Sequence, residues 1–330
     1  MGAADTRHLT PVLVGPTAVG KTAVAVALAA LAPITVISAD ARQVYRGLDV
    51  GTAKPDRETL ARVPHRGLDL VDPGERYSAG RFAREAAGWL AEVRAASRLP
   101  VVVGGTGFYV RALAEGLFRE PPLDRGRRDE LRAWTERLEA PEIAHWAARL
   151  DARFQGGGRQ RAARAVEVAL LTGRALSWWQ REARETGAMR PWYIHLTLPR
   201  ETLRRRIGER VDRMLAAGLV DEVRGVLARS VPPDAAGLDG VGYREVGALL
   251  QGRLPASELR EAICVATRRY AKRQETWFRN QLRGEGGAGS GMTVDVWMLD
   301  ATDAPEVLAR QILERWATVT ALSSLLPAAR

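Results

Sequence analysis

Short runs of β-branched and other apolar residues, each closed by Gly or Pro and followed by helical spacing, recur along the first third of the chain. Residues 9–14 (LTPVLV), 34–38 (ITVIS), 67–71 (GLDLV) and 101–103 (VVV) are expected as strands, with helices over 22–31 and 78–97. Apolar runs without alternation need cover on both faces, which indicates a parallel α/β sheet. The character changes near Pro121 and Pro122. Residues 127–138, 142–150, 160–172 and 175–184 all carry helical patterns with no strand among them, so an α-helical insertion is expected. Residues 192–198 (WYIHLTL) read as a strand returning to the first sheet, followed by a basic helix over 200–217 and further helices to about 283. GEGGAGSG, 284–291, reads as a linker or long hairpin loop. A last strand over 293–299, an amphipathic helix over 305–318 and a mobile tail from 323 are expected beyond it. The division is therefore 1–120 (first part of the α/β core), 121–190 (helical insertion), 191–283 (core completion) and 284–330 (linker and C-terminal extension). No internal repeat is visible.

Directly after the first strand stands GPTAVGKT: Gly15, Pro16, Thr17, Ala18, Val19, Gly20, Lys21 and Thr22. The spacing G-x-x-x-x-G-K-[ST] between a strand and a helix surrounds an oxyanion with backbone N–H groups, an ammonium and a hydroxyl. Lys21 is expected to neutralise phosphate charge and Thr22 to reach a divalent ion, Mg²⁺. Such a loop recognises a diphosphate rather than a particular nucleotide. A kinase, a GTPase or an enzyme whose leaving group is pyrophosphate could each use it.

Composition narrows the setting. The 330 residues, 46% apolar and 27% charged, suffice for a buried core and about two domains. No apolar run is long enough to span a membrane and the N-terminus shows no export signal, so a cytoplasmic address is expected. Cys264 is the only cysteine, which excludes an internal disulfide and any multi-cysteine metal site. The four histidines show no metal spacing. The net charge of +10 favours a polyanionic partner. Only Lys21, Lys54 and Lys272 are lysines among 49 basic residues, a hint that each needs a compact point charge.

Three further segments fall after expected strand ends, where ligands of such sheets gather. Asp40 follows the second strand in ISADARQVYRGLDVGTAKP, placed for a general base or metal ligand; a helix N-cap is the alternative. Lys54 lies in the same loop. VGGTGFY, 103–109, allows close backbone approach, and the Thr106 hydroxyl can donate to a ligand oxygen there; a tight turn is the alternative. On the basic helix Arg206, Arg210 and Arg213 share one face, available for a phosphate or for solvent. RRYAKRQETWFR, 268–279, is a basic helix with aromatics, suited to RNA backbone contact, with Lys272 among its cations. Trp178 and Trp179 read as core or domain interface.

Taken in order, GPTAVGKT, ISADARQVYRGLDVGTAKP, YSAGRFAREA, VVVGGTGFYVRAL, RAVEV and RRYAKRQETWFRNQ closely resemble the tRNA dimethylallyltransferases, from about Thr10 to about Arg283. Ala41 stands where that family usually has Ser, and PHRGLD, 64–69, has one His where a pair is common. The resemblance implies a P-loop NTPase-like sheet with a helical insertion, acting as a monomer. It implies transfer of a dimethylallyl group from dimethylallyl diphosphate to N6 of adenine 37 in tRNAs reading codons that begin with U. Asp40 would then be the base. Lys21, Mg²⁺ through Thr22, Thr106 and Arg210 would stabilise the departing pyrophosphate, with Arg206 second to Arg210. By the same resemblance Asp40, Ala41, Arg42, Gln43, Thr106, Arg128, Gln160, Arg161, Ala162, Ala163 and Arg164 approach the tRNA anticodon stem-loop. The rival readings are a small-molecule or nucleoside kinase and an RNA-binding NTPase.

Overall fold

The apolar runs form one parallel sheet that brings chain segments far apart in sequence to a common edge. The computed structural model describes residues 7–119, 123–282 and 296–325. Two compact units result: Met1–Ala114 with Ala188–Arg330, and Glu115–Gly187.

In the first unit the strands are β1 (Leu9–Val14), β2 (Ile34–Ser38), β3 (His65–Arg66), β4 (Leu99–Val103), β5 (Arg190–Thr197) and β6 (Val296–Asp300). Their order is β3-β2-β4-β1-β5-β6, parallel throughout. All of β1 pairs with β5, from Leu9 opposite Arg190 to Val14 opposite His195. On its other side β1 pairs with β4, so β4 separates it from β2. The carboxylate after β2 is therefore one strand removed from the phosphate loop.

Between these strands lie α1 (Lys21–Leu31), α2 (Arg57–Arg62), α3 (Ala79–Ala95) and α4 (Gly107–Glu115). Helices α2 and α4 go beyond what the apolar pattern predicts. Caps set two of these starts: Asp56 accepts from Thr59 N–H at 2.8 Å and Ser78 from Arg81 N–H at 3.2 Å. The third strand is displaced from its expected place. Gly67 and Asp69 take positive φ, +87° and +53°, which ends β3 after two residues. Residues 69–71 instead hydrogen-bond to the backbone of Gln43 and Val44, bracing the loop after β2.

The second unit holds α5 (Arg125–Arg137), α6 (Ala140–Leu150), α7 (Arg159–Thr172) and α8 (Leu176–Glu182). Its core gathers Ile143, Ala147, Ala165, Val166, Val168 and Leu176, with Trp134, Phe154 and Trp179 packed against them. The Trp179 indole donates to Thr172 Oγ1 at 3.0 Å, and Trp178 meets it edge-on. The expected boundary at Pro121 and Pro122 lies outside the described residues.

The first unit continues with α9 (Arg200–Ala216), α10 (Leu219–Ala228), α11 (Tyr243–Leu250), α12 (Ala256–Leu282) and α13 (Pro305–Leu325). The C-terminal extension is part of the core. β6 extends the sheet beyond β5, and α13 packs on α1, placing Leu299, Leu308 and Ile312 among the buried residues. Trp192 of β5 lies 6.0 Å from Trp297 and 5.5 Å from Trp316, centroid to centroid. The 284–291 segment and the tail beyond 325 lie outside the described residues.

Three strand ends meet at Gly104. Its N–H donates to Leu13 O at 3.1 Å, and a Cβ there would stand 2.1 Å from Ala39 O. The Gly104→Ala variant is expected to lose at least about 2 kcal/mol of stability by overpacking against backbone, as measured by urea unfolding.

Candidate active site

The phosphate loop leaves the sheet at Val14. Gly15 has φ +143° and its missing Cβ would be 2.6 Å from Leu196 O, so the turn requires glycine. Gly20, at φ +113°, opens α1, whose first turn carries no acidic residue and presents its N–H groups to an anion. The Lys21 ammonium curls back to donate to Gly15 O at 2.9 Å and Pro16 O at 2.8 Å. Burial lowers its pKa to about 8; the Asp40 charge partly opposes this and Arg210 adds to it. Thr22 is exposed beside the loop. His195, on β5, is buried and its Nε2 has no partner among the described residues. Burial first, then Lys21, pushes its pKa down to about 4, so it adds no charge here.

The second wall is built from the ends of β2 and β4. Ala39 N–H donates to Val103 O at 2.8 Å and Thr106 N–H to Ala39 O at 3.2 Å, locking the two chain ends together. Thr106 Oγ1 then accepts from Ala41 N–H at 3.0 Å. Asp40 Oδ1 accepts from Arg42 N–H at 2.8 Å and Gln43 N–H at 3.4 Å, capping the turn that follows. The cap and the site role are compatible, because the turn fixes the carboxylate by one oxygen. Gln43 is fastened inward, between Ser38 Oγ at 2.9 Å and the carbonyls of Thr52 and Ala53. The Arg42 guanidinium donates to Ala236 O at 2.8 Å.

A cavity of about 220 Å³ opens between these walls and is lined by Thr17, Asp40 and Arg210. Arg42, Arg244 and Arg273 add three guanidiniums, against the carboxylates of Asp40 and Asp239. Cations therefore outnumber anions around it, which suits an anionic ligand. Tyr270 also lines it, with the Arg273 guanidinium 5.6 Å from its ring centroid. Burial, then the Asp40 charge, push the Tyr270 hydroxyl up to about 12, so it stays protonated. Arg210 reaches Thr52 O at 3.4 Å and faces the cavity, whereas Arg206 donates to Val19 O at 3.1 Å and braces the phosphate loop.

The chain is similar to known proteins over most of its length. The IPP transferase family model matches residues 43–281, and the isopentenyl transferase model residues 10–68. A tRNA dimethylallyltransferase of Thermomicrobium roseum is 44% identical over 281 residues, covering 83% of this chain and 84% of its own. One from Geobacter sulfurreducens is 42% identical over 275 residues, 81% and 88%. The full-length tRNA isopentenylpyrophosphate transferase of Bacillus halodurans is 31% identical and superposes with a TM-score of 0.67, covering 97% of this chain and 100% of that one. The chain belongs to the IPP transferase family. A eukaryotic dimethylallyltransferase acting on tRNA shares the fold, at 24% identity and a TM-score of 0.76 over 98% of this chain and 81% of that one.

The other residues that the family resemblance directs to tRNA lie in the helical unit. Gln160 and Arg161 are exposed at the start of α7. Ala162 is 1% exposed and belongs to the unit's core, because it falls on the inward face of α7; its side chain is unavailable to RNA. Ala163 is partly buried against the same core. Arg128 and Arg164 both engage Glu167.

Gln274 and Glu222 hold this IPP transferase site together through contacts that the local sequence pattern does not indicate. Gln274 of α12 accepts from Thr17 N–H at 2.8 Å and donates to Gly105 O at 2.9 Å, joining the phosphate loop to the β4 loop. Glu222 of α10 accepts from the N–H groups of Asp49, Val50 and Gly51 at 2.7, 2.7 and 3.1 Å, and from the Tyr243 hydroxyl at 2.7 Å. Lys54, expected near a ligand, is instead a clamp. Its ammonium reaches Tyr45 O at 2.5 Å, Asp49 at 2.6 Å and Asp69 at 2.5 Å, and its side chain is 5% exposed. Lys272 is exposed on α12.

Replacing Gln274 by Leu would leave the Thr17 N–H and the Gly105 carbonyl unpaired. A loss of about 2–5 kcal/mol is expected from two such groups, read by urea unfolding.

Proposed function

We propose that this IPP transferase transfers a dimethylallyl group from dimethylallyl diphosphate to N6 of adenine 37 in tRNAs reading codons that begin with U, releasing pyrophosphate. The observation carrying this reading is one cavity lined by a carboxylate, Asp40, and by Arg210 and Thr17 of the diphosphate side. Adenine N6 attacks the allylic carbon, the carbon–oxygen bond to diphosphate breaks, and the N6 proton passes to Asp40. An exocyclic amine is a weak nucleophile, so a fixed acceptor for its proton lowers the barrier. Negative charge builds on the leaving oxygens, where the loop N–H groups, Lys21, Arg210 and the Thr106 hydroxyl stabilise it. Extruding the adenine from its stack costs a few kcal/mol, which contacts of the helical unit with the anticodon arm offset.

Magnesium fits this chemistry. The described residues contain no group of three or more His, Cys, Asp or Glu that could hold an ion. The exposed Thr22 hydroxyl is a hard oxygen donor, and Mg²⁺ binds readily through few protein ligands together with diphosphate oxygens and water. Bound there, it would offset charge on the leaving group.

No helix among the described residues is long and apolar enough to cross a membrane. The kinase reading lacks support from the relatives, all named as transferases to tRNA. Incubation with unmodified tRNA and labelled dimethylallyl diphosphate decides between them. Label retained on the RNA is expected; consumption of ATP without label on RNA would establish a kinase instead.

Asp40→Asn keeps the turn cap but removes the base. Turnover is expected to fall about 10²-fold or more with donor KM nearly unchanged, measured by steady-state kinetics.

The depressed pKa of Lys21 gives a pH signature. Above about pH 8 its ammonium loses the proton and the diphosphate loses a cation, so kcat/KM for the donor should fall as pH rises through that value. Lys21→Arg, charged throughout, should flatten that alkaline limb.

A further inference from the structure

The cavity beside Asp40 changes character along its length. Helices α9 and α12 run antiparallel along one side of it, and each touches the phosphate loop. Arg206 of α9 donates to Val19 O, and Gln274 of α12 accepts from Thr17 N–H. At the far end of the pair Arg260 Nε donates to Asp212 at 2.6 Å. From the loop outward Arg206, Arg210 and Met214 follow at spacings of four on one face of α9, with Val211 beside them. On α12, Gln274, Tyr270, Thr267 and Ile263 share one face in the reverse direction. Both faces therefore grade from polar at the loop to apolar roughly 12–16 Å away along the helices.

Three regions of the cavity differ in what they can hold. Thr17 and Arg210 stand at the phosphate-loop end. Asp239 and Arg244 are exposed, so their side opens to solvent and admits a base carried on a large RNA. Val211, Ile263, Thr267 and Met214 are between 1% and 8% exposed, so the third region is closed. The one hydroxyl among these four side chains, that of Thr267, already donates to Ile263 O at 2.7 Å. A hydrocarbon gains by entering such a space, whereas a phosphate or a base edge would lose its hydrogen bonds to water.

We infer that Met214, backed by Val211 and Ile263, closes an apolar blind end that receives the hydrocarbon tail of the donor and limits it to a single isoprene unit. The inference rests on the proposed prenyl transfer and deepens it by naming what selects among allylic diphosphates. With the diphosphate in the loop and the reacting carbon beside Asp40, only the tail is free to differ between donors. Met214 lies one turn beyond Arg210, the residue assigned to the diphosphate, and has the longest side chain of the four. A tail longer by five carbons must displace it, and crowding a closed apolar space against buried side chains is unfavourable.

The test is transfer by the full chain to an unmodified anticodon stem-loop RNA, with labelled dimethylallyl diphosphate and labelled geranyl diphosphate as alternative donors. The readout is the ratio of their kcat/KM values, which does not depend on the fraction of enzyme that is folded. The wild type is expected to favour dimethylallyl diphosphate strongly. Met214→Ala, which removes three heavy atoms, should shift the ratio toward geranyl diphosphate by about 10-fold or more, with KM for the RNA unchanged. Met214→Leu, similar in volume, should keep the wild-type ratio. Ile263→Ala should shift the ratio in the same direction as Met214→Ala and decides if that variant does not fold.

An unchanged ratio in the variant that folds overturns the inference, as does a wild type equally active with both donors. A raised KM for the RNA with an unchanged donor ratio overturns it too, and assigns this end of the cavity to the base. A wild type that labels the RNA from neither donor defeats the functional reading and this inference with it. One that prenylates the RNA while both alanine variants keep its ratio defeats the inference alone.

Discussion

The site depends on backbone hydrogen bonds that pin the end of β4 between the ends of β1 and β2. Gly104 N–H reaches Leu13 O, Ala39 N–H reaches Val103 O, and Thr106 N–H reaches Ala39 O. These bonds fix where the phosphate loop, Asp40 and Thr106 stand relative to one another. They also explain the glycines, because side chains at 104 or 105 would strike Ala39 backbone or the Gln274 amide. The loop residues proposed for catalysis are held here by main-chain bonds to a parallel sheet, so their precision is that of the sheet.

Charge is distributed in two ways around this frame. Some ionic groups stand at the phosphate loop or line the cavity, where burial makes their charge costly: Lys21 and Arg210 respectively, and both have lowered pKa values for this reason. Others are used up within the chain. Glu222 occupies the N–H groups of residues 49–51, and Lys54 is held by two aspartates and a carbonyl. The same residue types thus serve binding or support according to whether their partners belong to the chain, which composition does not reveal.

The helical unit repeats that logic. Arg128 and Arg164 carry the expected positive charge, yet both are anchored by a buried glutamate that also holds Arg132. Ala162, adjacent in sequence to exposed Arg161, points into the core because successive helical residues are turned by about 100°. A contiguous sequence segment therefore divides between an outer and an inner face.

The chain by itself determined what depends on neighbours in sequence. The phosphate loop follows from its glycine spacing after an apolar run, and β1, β2 and β4 from unbroken apolar stretches. The helices of residues 125–182 follow from periodicity. The ordered motifs were specific enough to indicate the family that the comparisons then established. Tertiary structure alone decided that β4 lies between β1 and β2, that residues 69–71 brace a loop rather than join the sheet, and that β6 and α13 complete the core. It alone brought Gln274 to Thr17, 257 residues away, and Glu222 to Gly51, 171 away. The reason is physical: periodicity records which face of an element is buried, whereas a side-chain hydrogen bond is directional and its partner depends on how distant segments pack.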